Sequence, residues 1–287
     1  MDPVPVLEIG GTHVTAALVR DGSAEIAVRL PLTPNGGKAE ILDGIAAAAA
    51  KLDAPAGAQW GVAVPGPFDY EAGIGLFQDV GKFESLYGVD VKAELTRRLP
   101  EPAGLRFLND ADAFGIGEHV AGAAAGHRRA VCLTLGSGIG SAFLDDGVPV
   151  NDGPLVPPDG SAHLVRYLGR PLEETVSRRA IRAAYAGEDS PDVHAIAELA
   201  RTGDRHAQTV LANAFHALGA AIGPWLARFE ATVLVVGGSI AASWDLVEGP
   251  LKASLHSAAE LRTALRAVDA PLLGAAWWAT RTDHHLQ

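Results

Sequence analysis

The sequence predicts an α/β fold built from two related halves. Apolar runs of strand length alternate with longer helix-like stretches along the whole chain, which is the signature of mixed α/β architecture. Two distant segments also match. Leu7–Gly22 (LEIGGTHVTAALVRDG) and Leu133–Gly147 (LTLGSGIGSAFLDDG) share the order strand, Gly-rich turn, strand, Asp-Gly, and differ by one residue in length. One supersecondary unit is therefore used twice. A third strand, Thr232–Val236, runs into another glycine pair, Gly237-Gly238.

Taken in order, Val6–Ile9 and Val14–Val19 read as a strand pair closed by Asp21-Gly22. Lys38–Leu52 reads as a helix, and Trp60–Val64 as a short buried strand stopping at Pro65-Gly66-Pro67. Gly73–Gly81 is loop-like. Val91–Leu99 is a helix, Leu105–Leu108 a strand, and Ala111–Ala125 a helix of small residues. The second half begins with strands Val131–Leu135 and Ser141–Leu144 around Gly136-Ser137-Gly138-Ile139-Gly140. A Pro/Gly-rich loop fills Asn151–Asp159. Helices are expected over Leu172–Ala184, Val193–Leu199, Arg205–Phe229 and Leu272–Thr282.

Composition narrows the partners. At 287 residues and 48% hydrophobic, the chain is long enough for about two domains with real cores. Its net charge is -11 and it has no block of Lys/Arg, which argues against nucleic acid or a membrane surface as partner. An acidic protein still binds an anionic nucleotide locally, through backbone N–H groups and a metal ion. The one cysteine, Cys132, lies in an apolar run and reads as a small buried hydrophobe. It allows no internal disulfide and no cysteine-cluster zinc site. No basic leader precedes the first strand and no uninterrupted apolar stretch nears 18 residues, so a cytoplasmic location is expected.

The glycine turns carry the first functional signal. A tight strand–turn–strand exposes backbone N–H groups at its tip. Glycine permits positive φ there and removes the Cβ that would block a ligand. Thr12 and Ser137 add a hydroxyl to each tip. Either turn alone is equally a plain hairpin, whereas the matched pair points to the two ends of a polyphosphate. Gly136-x-Gly138-x-Gly140 is not a dinucleotide motif, because a strand follows it where that motif needs a helix. The Walker A pattern is missing too.

The second signal is Asn109-Asp110, at the end of a strand and the start of a helix, where ligands gather in α/β sheets. Phosphoryl transfer to an alcohol needs positioning, charge neutralisation and a carboxylate to take the hydroxyl proton. Asp110 fits that general base. Asn and Asp are equally ordinary helix N-caps, and both roles can hold together.

Five ordered segments resemble the ROK family of sugar kinases. These are Glu8-Ile9-Gly10-Gly11-Thr12, Pro65-Gly66-Pro67, Asn109-Asp110-Ala111-Asp112-Ala113 with Gly117-Glu118, Leu133–Gly140, and Gly237-Gly238-Ser239-Ile240. The resemblance implies the duplicated actin-like ATPase (ribonuclease H-like) fold, with two lobes around a central cleft. It implies an N-terminal α/β lobe over residues 1–112 and a C-terminal lobe over 113–271, with a helix in 272–287 packing back on the first. It also implies ATP, Mg²⁺, a sugar or polyol substrate and a homodimer. Carried over, Asp110 is the catalytic base, and Gly66, Asn109 and Asp110 face the sugar. Gly10, Gly11, Thr12, His13, Gly136, Ser137 and Gly138 bind phosphates, and Gly237 and Gly238 flank the adenosine.

Three departures from the family stand out. Glu8 replaces the usual Asp; it reads either as a ligand of Mg²⁺ through water or as a strand glutamate with a structural partner. The family's cysteine-rich zinc loop is missing, so no zinc site is expected, and His163 is left as a substrate contact or a surface histidine. The family's sugar-binding Glu has no clear equivalent in Asp159–His163. Glu173 or Glu174 then either contacts the sugar or lies on a solvated helix face. The reading that follows is ATP-dependent phosphorylation of a sugar hydroxyl. The alternative is a non-catalytic sugar- or nucleotide-binding regulatory protein of the same fold. The family's repressors carry an N-terminal DNA-binding domain, and this chain starts at the first phosphate loop.

Overall fold

The computed structural model describes residues 2–281, which form two compact units. The first runs to Ala121 and takes up the chain again from Val268; the second is Gly122–Ala267. A boundary after residue 112, as expected from the sequence, would cut a continuous helix in its first turn. The helix stays whole with the first unit.

The first unit is built on a five-stranded sheet. Its elements are β1 (Val4–Ile9), β2 (His13–Arg20), β3 (Ser23–Pro31), α1 (Lys38–Ala49), β4 (Gln59–Val64), the small hairpin β5 (Phe68–Asp69) and β6 (Ile74–Gly75), α2 (Val91–Thr96), β7 (Gly104–Asn109) and α3 (Asp110–Ala121). The sheet order is β3-β2-β1-β4-β7, antiparallel across β3-β2-β1 and parallel across β1-β4-β7. Leu7, Ile41, Leu42, Ile45, Trp60, Val62, Phe77 and Leu95 are fully buried in its core.

The second unit repeats the plan. It contains β8 (Arg129–Leu135), β9 (Ile139–Asp145), β10 (Val148–Pro149), β11 (Arg166–Tyr167), β12 (Arg170–Pro171), α4 (Glu173–Val176), α5 (Arg178–Ala186), α6 (Val193–Arg201), α7 (Arg205–Phe229), β13 (Val233–Gly237), α8 (Trp244–Leu255) and β14 (Glu260–Thr263). Its sheet order is β10-β9-β8-β13-β14, again antiparallel then parallel. The repeat seen in two hairpins thus extends to the whole sheet.

The chain returns to the first unit as α9 (Ala270–Thr280). There α9 packs on α3 with almost no side chain between the backbones. A Cβ on Gly274 would stand 1.9 Å from the Ala113 carbonyl oxygen, and one on Gly117 2.0 Å from that of Ala270. The expected extension of this helix to Thr282, and of the C-terminal segment to residue 287, lies outside the described residues.

Several sequence expectations change. The single helix over Leu172–Ala184 is two, because buried Ser177 breaks the first and caps the second by accepting the Ala180 N–H at 3.2 Å. The edge strand β3, the α8–β14 segment and the β5–β6 hairpin were not expected. α7 is long and apolar enough to cross a membrane by length and composition, but it is a core helix. Its Leu211, Phe215, Leu218, Ile222 and Leu226 are buried in the second unit's core.

Candidate functional site

In the first unit the β1–β2 hairpin ends in a tight turn. Ile9 pairs with Val14, and the Gly10 N–H donates to the His13 carbonyl at 2.8 Å. Gly11 and Thr12 are exposed at the tip. The Thr12 hydroxyl and His13 Nδ1 share a hydrogen bond of 2.9 Å, and an Arg29 nitrogen lies 3.4 Å from the same ring nitrogen. Neither Gly10 nor Gly11 takes a left-handed φ, contrary to the reason first given for glycine here. A Cβ on Gly11 would meet nothing within 4 Å, so the tip of the turn lies open.

Glu8 stands directly across the hairpin from Thr15. Burial pushes its carboxyl above the usual carboxylate range; a hydrogen bond from Thr15 and the charge of Arg29 oppose this, and Asp110 adds to it. Asp110 opens α3, half-buried at the end of β7. Its carboxyl is also pushed up, chiefly by burial, against the pull of Lys82 and of the backbone N–H groups of Ala111 and Asp110 itself. The charge of Asp110 is thus a minor influence on Glu8 beside burial.

Asn109 does two jobs. Its Oδ1 accepts the N–H groups of Ala111 (2.9 Å) and Asp112 (3.4 Å), capping α3. Its Nδ2 donates to the Tyr70 hydroxyl at 2.9 Å, and that hydroxyl donates to the Val64 carbonyl at 3.4 Å. Burial raises the Tyr70 phenol, so it stays neutral. Gly66 lies against the same pair: a Cβ there would stand 3.3 Å from the Tyr70 hydroxyl and 3.9 Å from Asn109 Nδ2. The first unit thus gathers Gly66, Asn109 and Tyr70 at one place.

The second unit holds the other hairpin. Leu135 pairs with Ile139, the Gly136 N–H donates to the Gly138 carbonyl at 3.0 Å, and Ser137 is exposed at the tip. The Gly136 carbonyl accepts the Arg178 N–H at 2.9 Å, which ties the loop to the start of α5. Glu173 is half-buried beside it. Its carboxylate accepts the Ile139 N–H at 3.1 Å, and a Cβ on Gly138 would stand 2.6 Å from its Oε2. Glu174 is exposed, so of the two glutamates it is Glu173 that faces the loop. Gly237 ends β13. Gly238 has φ +88°, and a Cβ there would press into the Leu135 backbone at 2.3–2.8 Å. Both glycine segments of this unit therefore meet, with the Ser239 hydroxyl 3.7 Å from where a Gly136 Cβ would be. His163 is exposed on a one-turn 3₁₀ segment, Ala162–Leu164, which the Ser141 hydroxyl anchors by accepting the Ala162 N–H at 2.8 Å.

Lys82, Arg29 and Tyr70 escaped the sequence reading. Arg29 sits on the unexpected strand β3, and Lys82 in a loop without a motif. Only the fold brings either to the carboxylates.

A family model describing the ROK family matches residues 5–153 and 169–282. The chain belongs to the ROK family. The unmatched stretch between those segments contains His163. This ROK protein is 28% identical to the glucokinase of Thermotoga maritima over an alignment of 272 positions that covers 86% of this chain and 84% of the relative. It is 26% identical to an N-acetylmannosamine kinase of Haemophilus influenzae over 303 residues, covering 95% and 93%. Among solved structures it resembles the ROK hexokinase from Thermus thermophilus, with a TM-score of 0.78 at 26% identity over 96% of this chain and 97% of that one. The fold is the duplicated actin-like ATPase fold, and the relatives are carbohydrate kinases.

Among the described residues no group of three or more His, Cys, Asp or Glu side chains is arranged to hold a metal. Cys132 is buried in β8 and gives His163 no thiolate partner for zinc. Glu8 carries a carboxylate, the donor type through which Mg²⁺ is held together with substrate phosphates.

Proposed function

We propose that this ROK protein transfers the terminal phosphoryl group of ATP to a hydroxyl of a hexose or related sugar, with Asp110 as general base. The observation that carries this reading is the place of Asp110, half-buried where β7 ends and α3 begins and next in sequence to the Asn109 that bonds Tyr70, in a chain of the ROK family; burial also pushes its carboxyl up. It takes the hydroxyl proton while the sugar oxygen bonds to phosphorus and the bond from phosphorus to ADP breaks. Asn109 holds a second sugar hydroxyl, oriented by its bond to Tyr70. Gly66, His163 and Glu173 complete the sugar contacts.

On the donor side, Gly10, Gly11, Thr12 and His13, with Gly136, Ser137 and Gly138, offer N–H and O–H donors to the phosphates. Gly237 and Gly238 flank the adenosine. Glu8 would hold Mg²⁺, which would supply neutralisation of phosphate charge. The working form is a homodimer in the cytoplasm. The test is ADP release across hexoses, amino sugars and cyclitols: at least one must stimulate release, and Asp110→Asn must abolish it.

Glu8, where the family usually carries Asp, favours a second reading in which the protein binds sugar or nucleotide without transfer. Nucleotide binding with no sugar-stimulated ADP release from any acceptor selects that reading.

A further inference from the structure

The loop between β6 and α2 carries a cation with no partner of its own. Lys82 is half-buried, and among the described residues its ammonium makes no hydrogen bond and no ion pair. Its charge nevertheless bears on Asp110. Holding a long lysine half out of water costs side-chain freedom, and nothing within the chain offsets that cost.

The backbone is bent to hold it there. Asp79, Gly81 and Phe83 all take left-handed φ, at +57°, +72° and +56°. Aspartate and glycine adopt that conformation readily, whereas for a bulky phenylalanine it is strained. Phe83 is kept in it from two sides. Its N–H donates to the Pro34 carbonyl at 2.6 Å, and its ring, 1% exposed, meets the edge of Phe77 with centroids 5.5 Å apart. Phe77 packs on Phe68 (6.1 Å), and Phe68 on Phe107 (5.2 Å), two residues before Asn109. One chain of aromatic contacts therefore ties the strained loop to the strand end that presents Asn109 and Asp110. Lys82 is fixed relative to that strand end rather than left to solvent.

We propose that Lys82 is a specificity residue of the acceptor site: it binds a carboxylate on the acceptor, so the preferred substrate is an acidic sugar, an aldonic or uronic acid. The proposal deepens the kinase reading and rests on its placing of the acceptor at Asn109 and Asp110. A lysine is a point charge and matches a single negative charge. A phosphate on the acceptor would bring nearly two charges towards Asp110 with one ammonium to meet them, whereas a carboxylate brings one.

The test is kcat/KM with ATP for D-gluconate, D-glucuronate and D-glucose, together with calorimetric titration of the same three compounds into the full chain without nucleotide. At least one acid is expected to exceed glucose. Lys82→Met keeps the stem and removes the charge; it should lower the acid-to-glucose ratio of kcat/KM by about tenfold, chiefly through KM, the loss of one charge-assisted contact. Lys82→Arg should retain most of the ratio, and circular dichroism checks that both variants fold. Because Lys82 also bears on Asp110, its loss alters turnover of every acceptor. The ratio cancels that effect and isolates the charge of the acceptor.

Glucose preferred over both acids, or a ratio unchanged in Lys82→Met, overturns the proposal. The two readings fail separately. An acid that binds in calorimetry, loses affinity in Lys82→Met and is never phosphorylated sinks the kinase reading and leaves the carboxylate site standing. Phosphorylation of glucose alone, with neither acid bound, sinks this proposal and leaves the kinase.

Discussion

Gly274→Ala should destabilise the protein, although alanine is the better helix former. Gly274 lies in α9, and its new Cβ would stand 1.9 Å from the Ala113 carbonyl oxygen and 2.7 Å from the carbonyl carbon. The first distance is more than about 1 Å inside van der Waals contact. The obstacle is backbone, so no rotamer relieves it and the two helices must part. Replacing Gly by Ala in a helix interior alone favours the fold by roughly 0.8–1 kcal/mol. Overpacking costs about 1–3 kcal/mol, and a backbone clash sits at the upper end. The clash wins by about 2 kcal/mol, which lowers Tm by roughly 4–6 °C in calorimetry.

Gly44→Ala is the matched control. Gly44 lies in α1, and a Cβ there would stand 3.0 Å from Leu32 Cδ2, the end of a side chain that can turn aside, so the same change should cost far less Tm than Gly274→Ala. A Gly274→Ala protein as stable as wild type, or no less stable than Gly44→Ala, would refute the close helix contact. Ala113 is also in the first turn of α3, which begins at Asp110. Parting the helices should therefore cost kcat as well as stability, since a displacement near 1 Å costs about 100-fold.

Asp110→Asn should lose turnover yet gain stability at neutral pH. Burial raises the Asp110 carboxyl, so the folded chain binds that proton more tightly than the unfolded one. Stability is therefore lost as pH rises from the ordinary aspartate value through the folded one. The Tm gap between variant and wild type should close as pH falls to about 4, where the unfolded carboxyl also protonates; a gap independent of pH contradicts the assignment of cause. Glu173→Gln keeps an acceptor for the Ile139 N–H and removes the charge, so the fold should hold while the sugar KM rises about tenfold. An unchanged KM removes Glu173 from the sugar site. Tyr70→Phe frees the Asn109 amide at a stability cost of about 1 kcal/mol in denaturant unfolding, with a rise in sugar KM and little change in kcat.

The parts of the fold that were legible in sequence are those where local chemistry and tertiary structure agree. Both Asp-Gly turns are of this kind. Asp21 and Gly22, and likewise Asp146 and Gly147, are consecutive left-handed residues, as the tightest hairpins require. Strand β3 was hidden because it is an edge strand in which Glu25, Ile26 and Ala27 are all exposed, so its apolar alternation is weak. α8 was hidden by Gly249-Pro250 in its middle, which reads as a break. Asn109 and Asp110 were found because a strand end meets a helix start there. Lys82 and Arg29 were not, since each reaches the carboxylates from a segment whose position only long-range packing decides.

If Asp110 deprotonates a sugar hydroxyl for attack on ATP, a new phosphate ester must form at its expense. Phosphorus-31 NMR of the chain with ATP, Mg²⁺ and the acceptor panel follows that bond directly. The expected spectrum shows a sugar phosphate ester growing in step with ADP, absent with Asp110→Asn. ADP appearing with inorganic phosphate alone, or the same ester forming at the same rate with Asp110→Asn, contradicts it.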